Sequence, residues 1–127
     1  MEILALQIDV ASKDDLQRLH DETLRAFGAP HLLFNNAGTG MPGVLSASED
    51  ALVRSFDINF WSVIHAMRLF IPSMEKRAAA DAARSADSAA GRTDSTDLTD
   101  PGDFCHVVNT ASLAGISEAC GLYGVTK

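Results

Sequence analysis

Apolar residues fall along this chain in two rhythms. Residues 3–10 are apolar at nearly every position, the pattern of a strand in a parallel sheet covered on both faces. From Ser12 the spacing lengthens to one apolar residue every three or four. Leu16, Leu19, Thr23, Leu24 and Phe27 form one stripe of a predicted helix. Ser12 stands where a hydroxyl caps free helix amides, with Asp15 three residues on, and Gly28 and Pro30 end the segment. Residues 31–34 are strand-like again and run into Asn35-Asn36-Ala37-Gly38-Thr39-Gly40, where small side chains allow a ligand close to the backbone.

A second helical rhythm runs over residues 48–74, through Leu52, Val53, Phe56, Ile58, Trp61, Ile64, Met67, Phe70 and Met74. It predicts one long, mostly buried helix. Asn59 lies on this apolar background, where an amide without partners costs about 1 to 3 kcal/mol, so it is expected to find partners in a neighbouring backbone or to face solvent. Trp61 is assigned to packing, and His65 to an ordinary helix position. The alanine-rich run 78–90 extends the helix, whereas residues 91–103, rich in Thr, Asp, Gly and Pro, read as a polar loop. Together residues 76–103 look like a solvent-exposed insertion. Residues 104–109 form a third strand, which delivers Ser112 at its carboxyl end. Strand, helix, strand, helix, strand predicts an α/β fold with a parallel sheet.

Composition narrows the function. The 127 residues are enough for a single domain, and 46% hydrophobic with 21% charged is an ordinary globular balance. No apolar run approaches the ~20 residues that span a bilayer, and the first residues carry no basic flank or small-residue cleavage site. No membrane association and a cytoplasmic location are therefore expected. A net charge of −7 with no lysine or arginine cluster argues against a nucleic-acid partner. Cys105 and Cys120 make neither a disulfide framework nor a metal pair, and His20, His31, His65 and His106 lack metal-ligand spacing. No metal is expected.

The candidate chemistry lies at the end of the chain. If a helix starts near Gly121, Tyr123 and Lys127 stand four residues apart on one face. Tyr-x-x-x-Lys alone is common on surface helices. With Ser112 upstream, the Asn35-Asn36-Ala37-Gly38 turn and Asn59, however, the chain resembles the short-chain dehydrogenase/reductase family over nearly its whole length. The resemblance implies a partial Rossmann-type, doubly wound parallel sheet and a single incomplete NAD(P)-binding domain over residues 1–127. It implies a catalytic tetrad of Asn59, Ser112, Tyr123 and Lys127. It also implies cofactor contacts at Asp9, Val10, Asn36, Ala37, Gly38, Tyr123 and Lys127, with Asp9 and Val10 lining the adenine pocket. Hydride transfer between a nicotinamide and an alcohol or carbonyl leaves a proton to move at oxygen. A phenol with an ordinary pKa of about 10 does this near neutrality only if a cation such as Lys127 stabilises its anion. In the family, Ser112 would orient the substrate oxygen, Lys127 would also bond the nicotinamide ribose, and Asn59 would hold a water connecting Lys127 to solvent. The stretch from Ser112 to Tyr123 is somewhat shorter than is usual in the family, which puts the distance between hydroxyl and phenol in doubt.

The sequence departs from the family elsewhere too. It contains no Thr-Gly-x-x-x-Gly-x-Gly loop to meet a pyrophosphate at a helix N-terminus, and Gly38-Thr39-Gly40 follows the wrong strand to replace it. The residue that selects NAD or NADP belongs to a strand absent from the sequence, so the cofactor is NAD or NADP without distinction. Two readings follow. One is a short-chain oxidoreductase acting on a small alcohol or carbonyl substrate, with the long helix as the expected surface for pairing with a second copy. The other is a catalytically inactive remnant of that family, acting at most as an interaction fragment, which is the expectation for the 127 residues taken alone. A signalling-type flavodoxin-like module shares the alternation but gives no reason for Ser112, Tyr123 and Lys127 together. In the family order two further strands separate residues 3–10 from 31–34. Closing that gap predicts residues 4–8 paired in parallel with 32–34, and 104–109 on the other side, in a three-stranded sheet. The alternative is that the family spacing persists around an empty slot.

Overall fold

In the computed structural model, which describes residues 1–40, 43, 45–89 and 104–112, helix α1 (Lys13–Phe27) begins where the sequence supplies its cap. The Asp15 amide donates to Ser12 Oγ at 3.2 Å, satisfying a donor that has no partner within the helix. Gly28 ends the helix at φ 74°, with its N–H on the Leu24 carbonyl at 3.0 Å. That left-handed conformation is one a side chain disfavours.

The chain then enters strand β1 (Leu32–Asn35), helix α2 (Glu49–Phe56, capped by Ser48), a π-helical turn (Asp57–Trp61), helix α3 (Ser62–Ala89) and strand β2 (His106–Asn109). β1 and β2 pair in parallel, Leu32 beside His106 through to Asn35 beside Asn109. Parallel strands joined through helices are the mark of an α/β fold. α3 continues through the alanine-rich run, so the first part of the expected 76–103 insertion is helix; residues 90–103 lie outside those described.

Two expectations need correction. Among the described residues the sheet has two strands, not three, and residues 3–8 do not pair with β1. They keep a strand's alternation, with Leu4, Leu6 and Ile8 half-buried and Ile3, Ala5 and Gln7 exposed. Side-chain clamps hold the segment elsewhere. Arg18 donates to the Gln7 carbonyl at 2.8 Å, the Asp9 amide to Asp15 at 2.7 Å, and Arg54 to the Asp9 carboxylate. These bonds fix it to α1 and α2 and leave the far edge of β1 open. The carbonyls of His31 and Asn35 accept from the amides of His106 in β2 and of Thr110 just beyond it, so by strand alternation the backbone groups of Leu32 and Phe34 face that open edge. Their side chains are 55% and 58% exposed.

The long helix is also neither single nor mostly buried. The π-helical turn interrupts it, and Ser55, Asn59, Ser62, Ala66, Phe70, Met74 and Asp81 form its buried stripe. Trp61 lies outside the stripe, on the surface, stacked on His65 with ring centroids 6.0 Å apart. The stripe meets Leu16 and His20 of α1; the His20 ring packs edge-on to Phe70 at 5.0 Å and its Nε2 pairs with Ser73 Oγ at 3.2 Å. Further along α3, Arg77 donates to the Ala29 carbonyl at 2.6 Å and to His31 Nε2 at 2.8 Å. Buried Asp81 lies among His31, Arg77 and Arg84. These contacts anchor α3 to the turn that launches β1.

Candidate cofactor and catalytic site

The carboxyl ends of β1 and β2 are laced together by side chains. Asn35 Nδ2 donates to Asn109 Oδ1 at 2.8 Å, Thr110 Oγ1 to Asn36 Oδ1 at 2.9 Å, and the Thr110 amide to the Asn35 carbonyl at 3.0 Å. This brings the Asn35–Gly38 turn and the 110–112 segment to one end of the sheet, where open parallel sheets bind ligands. Ser112 is half-buried just beyond β2. Tyr123 and Lys127 lie outside the described residues.

Asn59 is 4% exposed. Its Oδ1 accepts from the Thr39 amide at 2.8 Å, and its Nδ2 donates to the Thr39 carbonyl at 2.9 Å and to Ser55 Oγ at 3.4 Å. The amide therefore grips both backbone groups of one loop residue, holding the loop that follows β1 against the π-helical turn. Of the alternatives open from sequence, a neighbouring backbone is the partner.

Between α1, α3 and β1 runs an open trough of about 110 Å³, lined among others by Val10, Leu33, Phe34, Asn36, Ala37 and Ala66. Val10 and the Asn36–Ala37 pair, far apart in sequence, thus face one space. Asp9, beside Val10, carries an anchored carboxylate. The Ala11 amide donates to Oδ1 at 3.0 Å, and Arg54 reaches Oδ1 at 3.0 Å and Oδ2 at 2.9 Å. The Ala11 amide and then Arg54 hold the Asp9 carboxyl below the usual range. Asp15 is lowered too, by the Asp9 amide and then Arg18.

Sequence reasoning missed Arg54, Thr39 and Ser55. Arg54 reads as a solvated helix arginine, and nothing local announces a partner 45 residues away. No glycine-rich turn that could meet a pyrophosphate leads into a helix among the described residues.

The parallel sheet, its helical crossover and the ligand-facing strand ends define a Rossmann-type α/β protein. The model of the short chain dehydrogenase family matches residues 1–95, and the chain belongs to that family. An 11-beta-hydroxysteroid dehydrogenase of Pinus massoniana is 30% identical over 77 residues, 59% of this chain and 22% of its own length. A short chain dehydrogenase/reductase from Burkholderia phymatum, in complex with NAD, superposes with TM-score 0.73 at 30% identity, over 97% of this chain and 36% of its own. A short-chain dehydrogenase from Novosphingobium aromaticivorans gives TM-score 0.72 at 28% identity, over 97% and 39%. The chain thus spans 22% to 39% of the length of these relatives.

Proposed function

We propose that this chain carries the catalytic portion of an NAD(P)-dependent oxidoreductase acting on an alcohol or carbonyl substrate. The observation that carries the reading is the trough: Val10, Asn36 and Ala37 line it together, at the sheet end to which β2 also delivers Ser112. Asp9, Val10, Asn36, Ala37 and Gly38 would hold the adenosine side of the cofactor, and Tyr123 and Lys127 the nicotinamide side. A bound nicotinamide supplies or accepts the hydride. Tyr123 moves the proton at the substrate oxygen, Lys127 stabilises its phenolate, and Ser112 hydrogen bonds that oxygen. Asn59 sets the loop beside them. The exposed pair Phe60 and Trp61, rings edge-on at 5.2 Å, offers apolar surface for a second copy along the long helix.

The test supplies a family glycine-rich strand–loop–helix before residue 1 and a family continuation after Lys127. The fusion is expected to oxidise alcohols with NAD(P), and Tyr123→Phe to nearly abolish turnover. Ser112→Ala and Lys127→Ala are each expected to cost orders of magnitude. A Tyr123→Phe fusion with unchanged kcat overturns the assignment. The absence of a pyrophosphate loop from the 127 residues supports a second reading, in which the chain by itself is inactive.

A further inference from the structure

Arg54 and Asp9 form an ion pair that joins α2 to the segment ending at Val10, the residue next to Asp9 and one that lines the trough. We infer that Arg54 is a positioning residue for the base end of the dinucleotide, holding the Asp9 carboxylate in one orientation so that it accepts from an exocyclic amino group. The inference rests on reading Asp9, Val10, Asn36 and Ala37 as the adenosine site.

The geometry around Asp9 is closely determined. Its amide donates to Asp15 Oδ2 at 2.7 Å and its carbonyl accepts from the Ser12 amide at 2.9 Å, so the main chain is held on both sides. Its carboxylate has about four lone-pair sites. The Ala11 amide and Arg54 occupy those of Oδ1, and Arg54 occupies one of Oδ2. Among the described residues one site on Oδ2 stays open. Both side chains are close to half exposed, so a ligand reaches the pair.

An acceptor-only group selects by hydrogen count. The 6-amino group of adenine donates to it, whereas a 6-oxo purine sets oxygen against oxygen. Such a bond in a partly solvated site corresponds to a preference of about fivefold. Without Arg54 only the Ala11 amide steadies the carboxylate. Oδ2 then turns freely, and the preference disappears while apolar contact in the trough persists. An arginine serving only to brace the fold would instead weaken both bases alike.

The test uses the full 127-residue chain, isotopically labelled and titrated with adenosine 5′-monophosphate or inosine 5′-monophosphate. The amide shifts of Val10, Asn36 and Ala37 report binding. The adenine nucleotide is expected to bind about fivefold more tightly. Arg54→Gln is expected to bring the ratio to about one with the inosine nucleotide's affinity unchanged, and Arg54→Lys to give an intermediate ratio. Should Arg54→Gln fail to fold, Arg54→Lys carries the test. A ratio unchanged in the variants, equal loss of both nucleotides, or wild-type binding without preference overturns the role of Arg54 alone. No shift at the three amides with either nucleotide overturns the adenosine-site reading, and the inference with it.

Discussion

Replacing Asn59 tests how the loop after β1 is held. Its side chain satisfies the amide and the carbonyl of Thr39 at 2.8 and 2.9 Å, and the residue is almost fully buried. Asn59→Ala removes the two hydrogen bonds to Thr39, worth about 1 kcal/mol each, and leaves Thr39 groups poorly solvated for about 1 more, roughly 3 kcal/mol in all. The buried apolar core among the described residues is Leu16, Ala66, Phe70 and Met74. That loss is therefore a large part of a total of about 5 to 15 kcal/mol, and it corresponds to a fall in Tm of about 10 °C. Asn59→Asp sharpens the test without changing volume. An ionised carboxylate still accepts from the Thr39 amide but turns its second oxygen on the Thr39 carbonyl and Ser55. Protonation restores a donor there, so the introduced carboxyl's pKa is raised in the folded state. Its favourable contribution is present below the unfolded carboxylate value of about 3.9 and is lost as pH rises through the folded value. Urea titrations of both variants, followed by Trp61 fluorescence, should show Asn59→Asp losing more against wild type at pH 7 than at pH 4. Equal deficits at both pH values, or Asn59→Ala within about 0.5 kcal/mol of wild type, would refute the clamp.

The remaining predictions use the same chain. Calorimetry of residues 1–127 with NAD(H) or NADP(H) should show no micromolar binding, because no pyrophosphate loop is present; a micromolar Kd contradicts this. His65 is held below its ordinary value by burial and then by Lys13 and Arg68. Quenching of the single tryptophan, stacked on that ring, should therefore set in with a midpoint below 6.5, and a midpoint at or above that value rejects it. The associated stability is present above the unfolded value and falls as pH drops through the folded one. Asp9, lowered by the Ala11 amide and then Arg54, contributes stability present above about 3.9 and lost as pH falls through its folded value. Arg54→Ala should accordingly move the onset of acid unfolding, followed by circular dichroism, to higher pH, and an unchanged onset counts against the pair.

What the sequence disclosed were features whose causes are local. Ser12 and Gly28 bracket α1 as their chemistry requires, and the alanine-rich run lengthens α3. Residues 3–10 read as a strand covered on both faces, but residues 3–8 form no strand and alternate between exposed and half-buried; strand pairing is a non-local choice, and Arg18, Asp15 and Arg54 hold the segment instead. Asn59 was legible as a buried amide in need of partners; that Thr39 supplies two of them depends on how a loop folds back 20 residues away. The lacing of Asn35 to Asn109 and of Thr110 to Asn36 was equally hidden, since it spans 74 residues.

The wide turn at Asp57–Trp61 keeps two helix faces in register. Its closing bond runs from the Ser62 amide to the Asp57 carbonyl, five residues back, where an α-helix would reach four. Ser55 before it and Asn59 within it face inward, and downstream Ser62, Ala66, Phe70 and Met74 do. Within it one extra residue is taken up in a single turn, so the faces before and after stay aligned; rewinding the turn to α-helical geometry with every residue kept would rotate everything beyond it by about 100° against everything before it. Either Asn59 then swings off Thr39 or Phe70 swings off His20. Substitutions here change one contact at a time, whereas rewinding the turn at constant length uncouples the loop grip from the core, so the extra residue and the wide turn belong together.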